Sequence, residues 1–360
     1  MPVSSGDGEL AAAEWRGPDG IERNGTMSDL LQELLASRDF LLADGATGTN
    51  MFAMGLETGA APDLWNLEHP DQVAELHQGF VDAGSDIILT NTFGANQYRL
   101  ALHQAQDQVQ DINQAGARIA REVADGSKRP VVVGGSMGPT GEILEPVGTV
   151  SQADVAEAFA AQAQGLAAGG VDVLWIETIS SREEMAAAVS GAARTGLPVV
   201  ATMTFDTAGR TMMGVTPEEA IEHSHGLDTS LVAFGANCGV GPGTLIDTVM
   251  GLKRGAGDED ILVAKGNCGI PEFCDGEIVY SGTHEIMAAY ARMARDAGAR
   301  IIGGCCGTSP SHLRAMAEAL KEYAPAGEPD KTQIESALGP ISAQEPAKRG
   351  KRVSRRRRGG

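Results

Sequence analysis

Short apolar runs alternate with longer amphipathic segments along most of the chain, and this alternation constrains the fold more than any other feature. Segments such as "DQVAELHQGFVDAG" and "VAEAFAAQAQGLAAGG" have the apolar spacing of helices and end in glycine, as helices often do. Strands that alternate with helices indicate repeated βα units and a parallel sheet. The apolar runs predict eight strands, at residues 40–44, 86–90, 131–135, 172–177, 199–204, 231–236, 261–265 and 300–304.

Eight parallel strands with intervening helices predict a single-domain (β/α)8 TIM barrel, for which a core of roughly 300 residues is an ordinary size. The alternative is an open doubly wound sheet, which usually has a G-x-G-x-x-G turn after its first strand. Here the first strand is followed by "DGATGTN", in which the glycine spacing is different. We therefore assign residues 27–322 to the barrel, 1–26 to a disordered extension, and 323–360 to a linker and a basic disordered tail.

The composition argues against several classes of protein. No apolar run approaches the ~20 residues that span a bilayer, and residues 1–26 lack the basic start and apolar core of a secretory signal. Met27 is a candidate natural start. Five cysteines, an odd count, in 360 residues are typical of a reducing compartment, which predicts a cytoplasmic protein. The formal net charge of −20 argues against a nucleic-acid surface on the body of the protein.

The segment at 348–358, "KRGKRVSRRRR", differs in charge from the rest of the chain, because it has eight basic residues and no acidic residue. We interpret it as a solvated, disordered tail. The alternative is an electrostatic tether for an acidic partner or for RNA.

The barrel hypothesis also predicts where a site should lie, because catalytic groups of (β/α)8 barrels gather at the carboxyl ends of the strands. Polar or thiol side chains follow seven of the predicted strands at this end, although the strands themselves are apolar. They are Asp44, Asn91 and Thr92, Ser136 to Thr140, Glu177 and Thr178, Asn237 and Cys238, Asn267, and Cys305 and Cys306.

The adjacent cysteines in "IIGGCCGT" are a poor structural disulfide, since neighbouring Cα atoms are closer than a relaxed bridge prefers. Three roles remain for these adjacent cysteines: packing, a redox pair, or two thiolates directed at one metal ion. Cys238 ends the sixth predicted strand and Cys305-Cys306 end the eighth, so one strand separates them and the three sulfurs can converge above the barrel. Neighbouring side chains of a strand point to opposite faces, so we expect Gly303, Gly304 and Gly307 to supply the backbone freedom that turns both thiolates inward.

Three thiolates favour zinc over harder cations, and a zinc ion with three protein ligands keeps its fourth position open for chemistry. With three thiolates the ion is a mild Lewis acid, better suited to binding and deprotonating an incoming thiol than to generating hydroxide. The triad therefore predicts alkylation or methyl transfer to a substrate sulfur. We assign Cys268 and Cys274 to packing, because neither has a comparable partner in the sequence.

Six motifs together resemble the homocysteine S-methyltransferase family: "DGATGTN", "LTNTFGAN", "GPTGEILEPVG", "MTFDTAGRTMMG", "GANCGVGP" and "GGCCGT". The likeness runs from about residue 40 to residue 320, in the order and spacing of the family. It implies a zinc-containing (β/α)8 barrel that methylates homocysteine to methionine, with one Zn²⁺ per chain on Cys238, Cys305 and Cys306.

The resemblance also implies how the substrate is held. Asp44 and Glu177 match the acids that bind the ammonium of homocysteine, and the loop amides of Gly45, Ala46 and Thr47 would meet its carboxylate. Carboxylates at a barrel mouth neutralise an ammonium, and a glycine-rich loop offers N–H groups to an anion.

The methyl donor is less constrained by the resemblance. A betaine pocket needs aromatic faces around a quaternary ammonium. Compared with the betaine enzymes, this chain has Gly94 in place of an aromatic residue and small residues at Ala60 and Ala61. Trp65 is out of register, and we assign it to packing. The motifs are closer to the homocysteine-binding module of cobalamin-dependent methionine synthase, so the expected donor is methylcobalamin on a separate corrinoid protein.

Three alternatives stay open at this point. The first is a betaine–homocysteine methyltransferase. The second is a non-catalytic, metal- or thiol-responsive binding protein, which would need the cysteines but not the substrate acids. The third is a phosphate-binding barrel that uses the loops after strands seven and eight, where this chain has Cys305 and Cys306 instead.

Overall fold

A computed structural model describes residues 30–274 and 277–341 and confirms the TIM barrel with all eight predicted strands. The strands of the chain are β1 (Leu41–Leu42), β2 (Ile87–Leu89), β3 (Val132–Met137), β4 (Val173–Ile179), β5 (Val199–Met203), β6 (Ala233–Cys238), β7 (Leu262–Gly266), β8 (Pro271–Cys274), β9 (Glu277–Tyr280) and β10 (Ala299–Gly304). All except β8 and β9 belong to one parallel sheet, in the order β1-β10-β7-β6-β5-β4-β3-β2.

The sheet closes between its first and last strands. Ala43 bridges Ile87 in parallel, the Asp44 amide donates to the Ile87 carbonyl at 3.0 Å, and the Asp86 amide donates to the Leu42 carbonyl at 2.6 Å. β1 is therefore hydrogen-bonded to β10 on one side and to the start of β2 on the other. Closure leaves the barrel without an exposed edge.

Helices form the outer layer. They are α1 (Leu30–Ser37), α2 (Gly48–Ala53), α3 (Trp65–Glu68), α4 (Pro70–Ala83), α5 (Gln97–Ala101), α6 (Val109–Asp125), α7 (Gln152–Gly169), α8 (Arg182–Ala193), α9 (Pro217–His225), α10 (Pro242–Gly255), α11 (His284–Asp296), α12 (Pro310–Leu320) and α13 (Lys331–Leu338). Side-chain caps such as Ser151 on α7 and Thr216 on α9 start several of them, because the cap oxygen accepts an otherwise unpaired backbone N–H.

The core has two layers, because successive strand residues point to opposite faces. One face of each strand packs against the helices, and the other packs inside the barrel, where Ile87, Trp175 and Ile301 are fully buried. Leu31 and Leu34 of α1 belong to the same inner cluster. α1 therefore closes the amino end of the barrel, and the carboxyl end is left for a site.

Two elements differ from the predicted organisation. β8 and β9 pair as an antiparallel hairpin between β7 and α11, although no strand was predicted between residues 265 and 300. α13 lies within the segment predicted to be a linker. Asp330 caps its first turn, and Ile334 and Leu338, one helical turn apart, are buried against the body of the barrel. α13 therefore packs on the barrel beyond the boundary predicted at residue 322.

The remaining expectations about the chain ends concern residues that lie outside the described ranges. These are the extension at 1–26 with Met27, and the basic tail at 348–358. Within residues 30–274 and 277–341, no helix is both long and apolar enough to cross a membrane.

Candidate metal and substrate site

The three predicted metal ligands converge. The sulfur atoms of Cys238, Cys305 and Cys306 all lie within 4.8 Å of one another, at the carboxyl ends of β6 and β10. A tetrahedral zinc with Zn–S bonds of about 2.3 Å separates its sulfur ligands by roughly 3.8 Å. The triad therefore matches three corners of a tetrahedral thiolate site after small side-chain adjustments.

Hydrogen bonds hold the two adjacent cysteines against the end of β7. The Cys305 amide donates to the Gly266 carbonyl at 2.7 Å, and the Cys268 amide donates to the Cys306 carbonyl at 2.8 Å. Cys238 has a left-handed backbone conformation, with φ of 62°. A non-glycine residue in this region is strained by roughly 1–3 kcal/mol and is typical of functional sites. This backbone conformation places the Cys238 sulfur close to those of Cys305 and Cys306.

The glycines beside the cysteines act differently from the prediction. Gly303 and Gly304 lie within β10, and of the three only Gly307 has a positive φ, of 77°. Gly303 and Gly304 are instead needed for close packing. A Cβ on Gly303 would lie 2.9 Å from the Asp44 carbonyl oxygen, and one on Gly304 would overlap the buried Thr308 side chain.

Replacing Gly304 by alanine should therefore destabilise the barrel by about 1–3 kcal/mol, because the added methyl group overpacks the turn that carries both cysteines. Gly126→Ala is the matched control, since Gly126 has φ of −72° and its added Cβ would meet the nearest atoms at an ordinary 3.5 Å. We expect the control to change the free energy of unfolding by less than about 0.5 kcal/mol. Denaturant unfolding measures both, and equal changes would contradict the packing role.

The pKa values of all three thiols are raised, by the effects of neighbouring thiols and by burial. The hydrogen bond with Cys305 raises the pKa of Cys238 to about 12, and the hydrogen bond with Cys238 raises that of Cys306 to about 11. For Cys305, the bond with Cys238 opposes the shift, but the bond with Cys306 and burial raise the pKa. Such thiols ionise near neutral pH when a cation binds them, which fits a metal-binding role.

Other side chains surround the sulfurs. Asn237 is buried, donates to the Thr178 hydroxyl at 2.7 Å, and has its side-chain nitrogen 3.9 Å from the Cys305 sulfur. Its carbonyl oxygen accepts from the Thr178 amide and the Thr202 hydroxyl. Tyr280 lies near Cys306: burial, and after it the influence of Cys306, raises the pKa of the Tyr280 hydroxyl.

A cavity of about 550 Å³ opens above the triad, and the three cysteines form part of its wall. Glu177 also lines this cavity and accepts a hydrogen bond from the Ser136 hydroxyl at 2.5 Å. Burial raises the pKa of Glu177, against the opposing effects of Lys265 and Ser136. The predicted substrate acid on β4 thus faces the same space as the thiols.

Asp44 is arranged differently from Glu177. One of its carboxylate oxygens accepts from the Lys265 ammonium at 2.6 Å, and the other accepts from the Leu89 amide at 2.7 Å. The carboxylate is 1% exposed. Asp44 is therefore engaged with the protein, and its predicted contact with a substrate ammonium stays a prediction.

Gly45, Ala46 and Thr47 line the cavity as predicted for a substrate-binding loop. The Ala46 amide already donates to the Thr308 carbonyl at 3.0 Å, so it is committed to holding the loop in place. A direct contact between these residues and a substrate carboxylate stays a prediction.

The sequence interpretation missed Lys265, Ser136 as the partner of Glu177, and Asn237 as the support of Cys305. Lys265 did carry a signal, since a lysine ends the apolar run "ILVAK" and so falls on a strand inside the barrel. A buried lysine is rare without a partner, and its position in the run could have prompted a search for one.

Comparison with known proteins agrees with the resemblance in the motifs. The family model described as homocysteine S-methyltransferase matches residues 41–320, which is most of the chain. The chain belongs to the homocysteine S-methyltransferase family. The match contains all three cysteines of the triad and both predicted substrate acids, Asp44 and Glu177.

Among curated relatives, the methionine synthase of Mycobacterium tuberculosis is 32% identical to this chain over 311 residues. That of Mycobacterium leprae is 31% identical over the same length. Each alignment covers 81% of this chain but 25% of the relative, so the chain spans about a quarter of the length of these proteins. Among solved structures, the metallated homocysteine methyltransferase MmuM from Escherichia coli is 24% identical, with a TM-score of 0.65 over 80% of this chain and 99% of that one. This likeness shows the shared fold.

Proposed function

We propose that this protein is a zinc-dependent homocysteine S-methyltransferase that forms methionine. The observation that carries the proposal is the placement of the three sulfurs, within 4.8 Å of one another, in the wall of a cavity that Glu177 also lines. A metal site and a carboxylate facing one cavity suit a substrate that has both a thiol and an ammonium group.

The three cysteines would hold the zinc ion. When bound, the ion supplies a Lewis acid that lowers the pKa of an incoming thiol, which would otherwise be mostly protonated at neutral pH. Asn237 contacts the Cys305 sulfur and would help to orient it, and Tyr280 lies near Cys306. Outer contacts of this kind commonly tune metal affinity. The thiolate of homocysteine would then attack the methyl group of the donor: the S–CH3 bond forms as the bond from the methyl group to the donor breaks, and the donor leaves with the electron pair of that bond.

Glu177 would bind the substrate ammonium. Its carboxylate lies in the cavity wall, and the Ser136 hydroxyl fixes its orientation. Because the Glu177 carboxylate is buried, a charge-assisted hydrogen bond between it and the substrate ammonium would be stronger than in bulk water. The resemblance assigns Asp44 to the same ammonium, but both oxygens of its carboxylate already accept hydrogen bonds, from Lys265 and from the Leu89 amide.

Glu177→Gln should weaken homocysteine binding by about 10- to 150-fold, the equivalent of the roughly 1.5–3 kcal/mol that a hydrogen bond to a charged group contributes. Zinc content should stay near that of the unchanged protein, because the carboxylate is outside the triad. Calorimetric titration of zinc-loaded protein with homocysteine measures the effect. Glu183→Gln, an exposed carboxylate at the start of α8, is the matched control. Equal affinities in the two variants would place the ammonium elsewhere.

The proposed methyl donor is methylcobalamin carried by a separate corrinoid protein. Exposed large apolar side chains of the described residues support this, because all lie between the carboxyl end of a barrel strand and the main helix that follows. They are Phe52, Leu67, Phe93, Leu102, Ile143, Val147, Met212 and Met213. We call this set the apolar rim. Three of them, Phe52, Phe93 and Leu102, also line the cavity. Exposed apolar side chains that share one end of a barrel favour a protein interaction site at that end.

The cavity suits betaine less well than it suits a donor carried by a corrinoid protein. A Cβ on Gly94 would meet the Asp63 carboxylate at 2.9 Å, so this position has no room for an aromatic side chain. Trp65 is buried in the core and stacks edge-on against His69, which fits its predicted packing role. Among the described residues, Phe52 and Phe93 are the phenyl rings in the cavity wall. Two exposed rings enclose a quaternary ammonium poorly.

A non-catalytic metal sensor would use the same triad. It would not need Glu177 held towards the cavity by Ser136, nor a cavity large enough for an amino acid beside the sulfurs. These features favour the enzyme. The donor assay described in the Discussion separates the two classes, because a sensor would produce no methionine.

A further inference from the structure

Lys265 places a cation inside the barrel where apolar residues dominate. Its side chain is 2% exposed, and its ammonium forms an ion pair with Asp44 at 2.6 Å. Burial disfavours the charged form, but Asp44 and Glu177 outweigh this and raise the pKa of Lys265. The side chain is therefore a charged ammonium, and its partner Asp44 is fixed from the other side by the Leu89 amide.

A buried ion pair contributes little to stability by itself, since desolvation offsets much of the attraction. The pair therefore prompts the question of what else Lys265 contacts. Lys265 lines the cavity together with Glu177 and the three cysteines. An ammonium has three donors, and the two hydrogen bonds of Lys265 both go to Asp44, the second to its backbone carbonyl at 3.4 Å. The ammonium also lies over the Trp175 ring, 5.9 Å from its centroid, a contact that uses no hydrogen-bond acceptor. One donor is left for a group in the cavity.

The position of the ammonium also relates it to the loop after β1. The Asp44 carbonyl, 3.4 Å from the Lys265 nitrogen, belongs to the peptide that continues into Gly45. Gly45 and Thr47 line the cavity beside Lys265. A carboxylate bound to the ammonium would therefore lie beside this loop.

We propose that Lys265 receives the α-carboxylate of the amino-acid substrate, and that Asp44 acts on the substrate by holding Lys265 in place. The proposal rests on the proposed function and makes Lys265 a specificity-determining residue for it. The α-ammonium and α-carboxylate of homocysteine are bonded to the same carbon atom. Glu177 and Lys265 present opposite charges close enough to influence each other, as that zwitterion requires. A thiol without the carboxylate would leave the cation of Lys265 unused.

The test compares three thiols on zinc-loaded protein by calorimetry. Homocysteine has both charged groups, 3-amino-1-propanethiol lacks the carboxylate, and 4-mercaptobutanoic acid lacks the ammonium. Lys265→Met should weaken homocysteine and 4-mercaptobutanoic acid by about 10- to 150-fold, as expected for a lost charge-assisted hydrogen bond. The affinity for 3-amino-1-propanethiol should change by less than about threefold. Glu177→Gln should give the mirror-image pattern.

A second variant guards against misfolding, because Lys265→Met leaves Asp44 as an unpaired buried charge. The double variant Asp44→Asn with Lys265→Met removes both charges and keeps an acceptor for the Leu89 amide. It should show the same selectivity among the three thiols. Equal losses for all three thiols in the double variant, or unchanged binding of the two carboxylates, would overturn this inference alone. A parent protein that binds zinc but none of the thiols would overturn the proposed function and this inference with it.

Discussion

Cys306→Ala is expected to remove both the metal and the methyl transfer while the barrel stays folded. Zinc content should fall from about one ion per chain to a small fraction of that, since two thiolates remain for an ion that prefers four ligands. Loss of an outer contact to a metal ligand already costs roughly 10- to 100-fold in affinity or activity, so loss of a direct ligand should cost more. The fold should survive because the apolar core of the barrel is separate from the triad.

Metal analysis after dialysis, a methionine-formation assay and thermal unfolding together measure this outcome. Cys268→Ala is the matched control: Cys268 is a buried cysteine near the triad, but its sulfur contacts the Gly282 carbonyl at 3.6 Å and is not one of the converging three. The control should keep its zinc. Full metal content in Cys306→Ala would rule out the three-thiolate site, and loss of zinc in both variants would show a general effect on the fold.

The triad was predictable because its signal is local in sequence and the barrel supplies the rest. Cys238 ends one apolar run and Cys305 ends another, and strand order alone brings them together. The same reasoning placed Glu177 at the rim. In both cases one strand determines the position of one side chain, so a correct strand assignment suffices.

Interactions between side chains were harder to predict. The pairing of Asp44 with Lys265 joins residues 221 positions apart, and no sequence pattern fixes which buried charge meets which. The role of Gly304 was predicted wrongly for a similar reason. The prediction was backbone freedom, whereas a glycine is needed there because a Cβ would overlap the buried Thr308 side chain. α13 was missed because its two buried residues, Ile334 and Leu338, are too few for a clear periodic pattern.

The second prediction with a large expected effect concerns the methyl donor. Zinc-loaded protein should form methionine efficiently from homocysteine and methylcobalamin bound to a corrinoid protein, and poorly from betaine. A quaternary ammonium that enters this cavity loses its hydration and gains, from the part of the chain that the structure describes, the two faces of Phe52 and Phe93. Each missing face of a cage is worth on the order of 0.5–2 kcal/mol, so betaine should react at least about tenfold more slowly. A panel with S-methylmethionine and dimethylsulfoniopropionate completes the assay. Efficient betaine turnover without any activity from the corrinoid would refute the assignment.

The apolar rim allows the corrinoid protein to be tested separately from the corrinoid itself. Ile143 and Val147 are 60% and 80% exposed and are not among the residues that line the cavity, so Ile143→Asp and Val147→Asp should leave folding and homocysteine binding unchanged. In a docked complex each would bury an unpaired charge, which costs association free energy. Methyl transfer from the protein-bound corrinoid should slow by about tenfold or more, whereas transfer from free methylcobalamin should not change.

Ser230→Asp, an exposed position just before β6 at the opposite end of the barrel, is the control. If rim and control variants slow equally, the corrinoid protein does not dock over the cavity mouth. Selective slowing would show that the methyl group reaches the zinc-bound sulfur through this face.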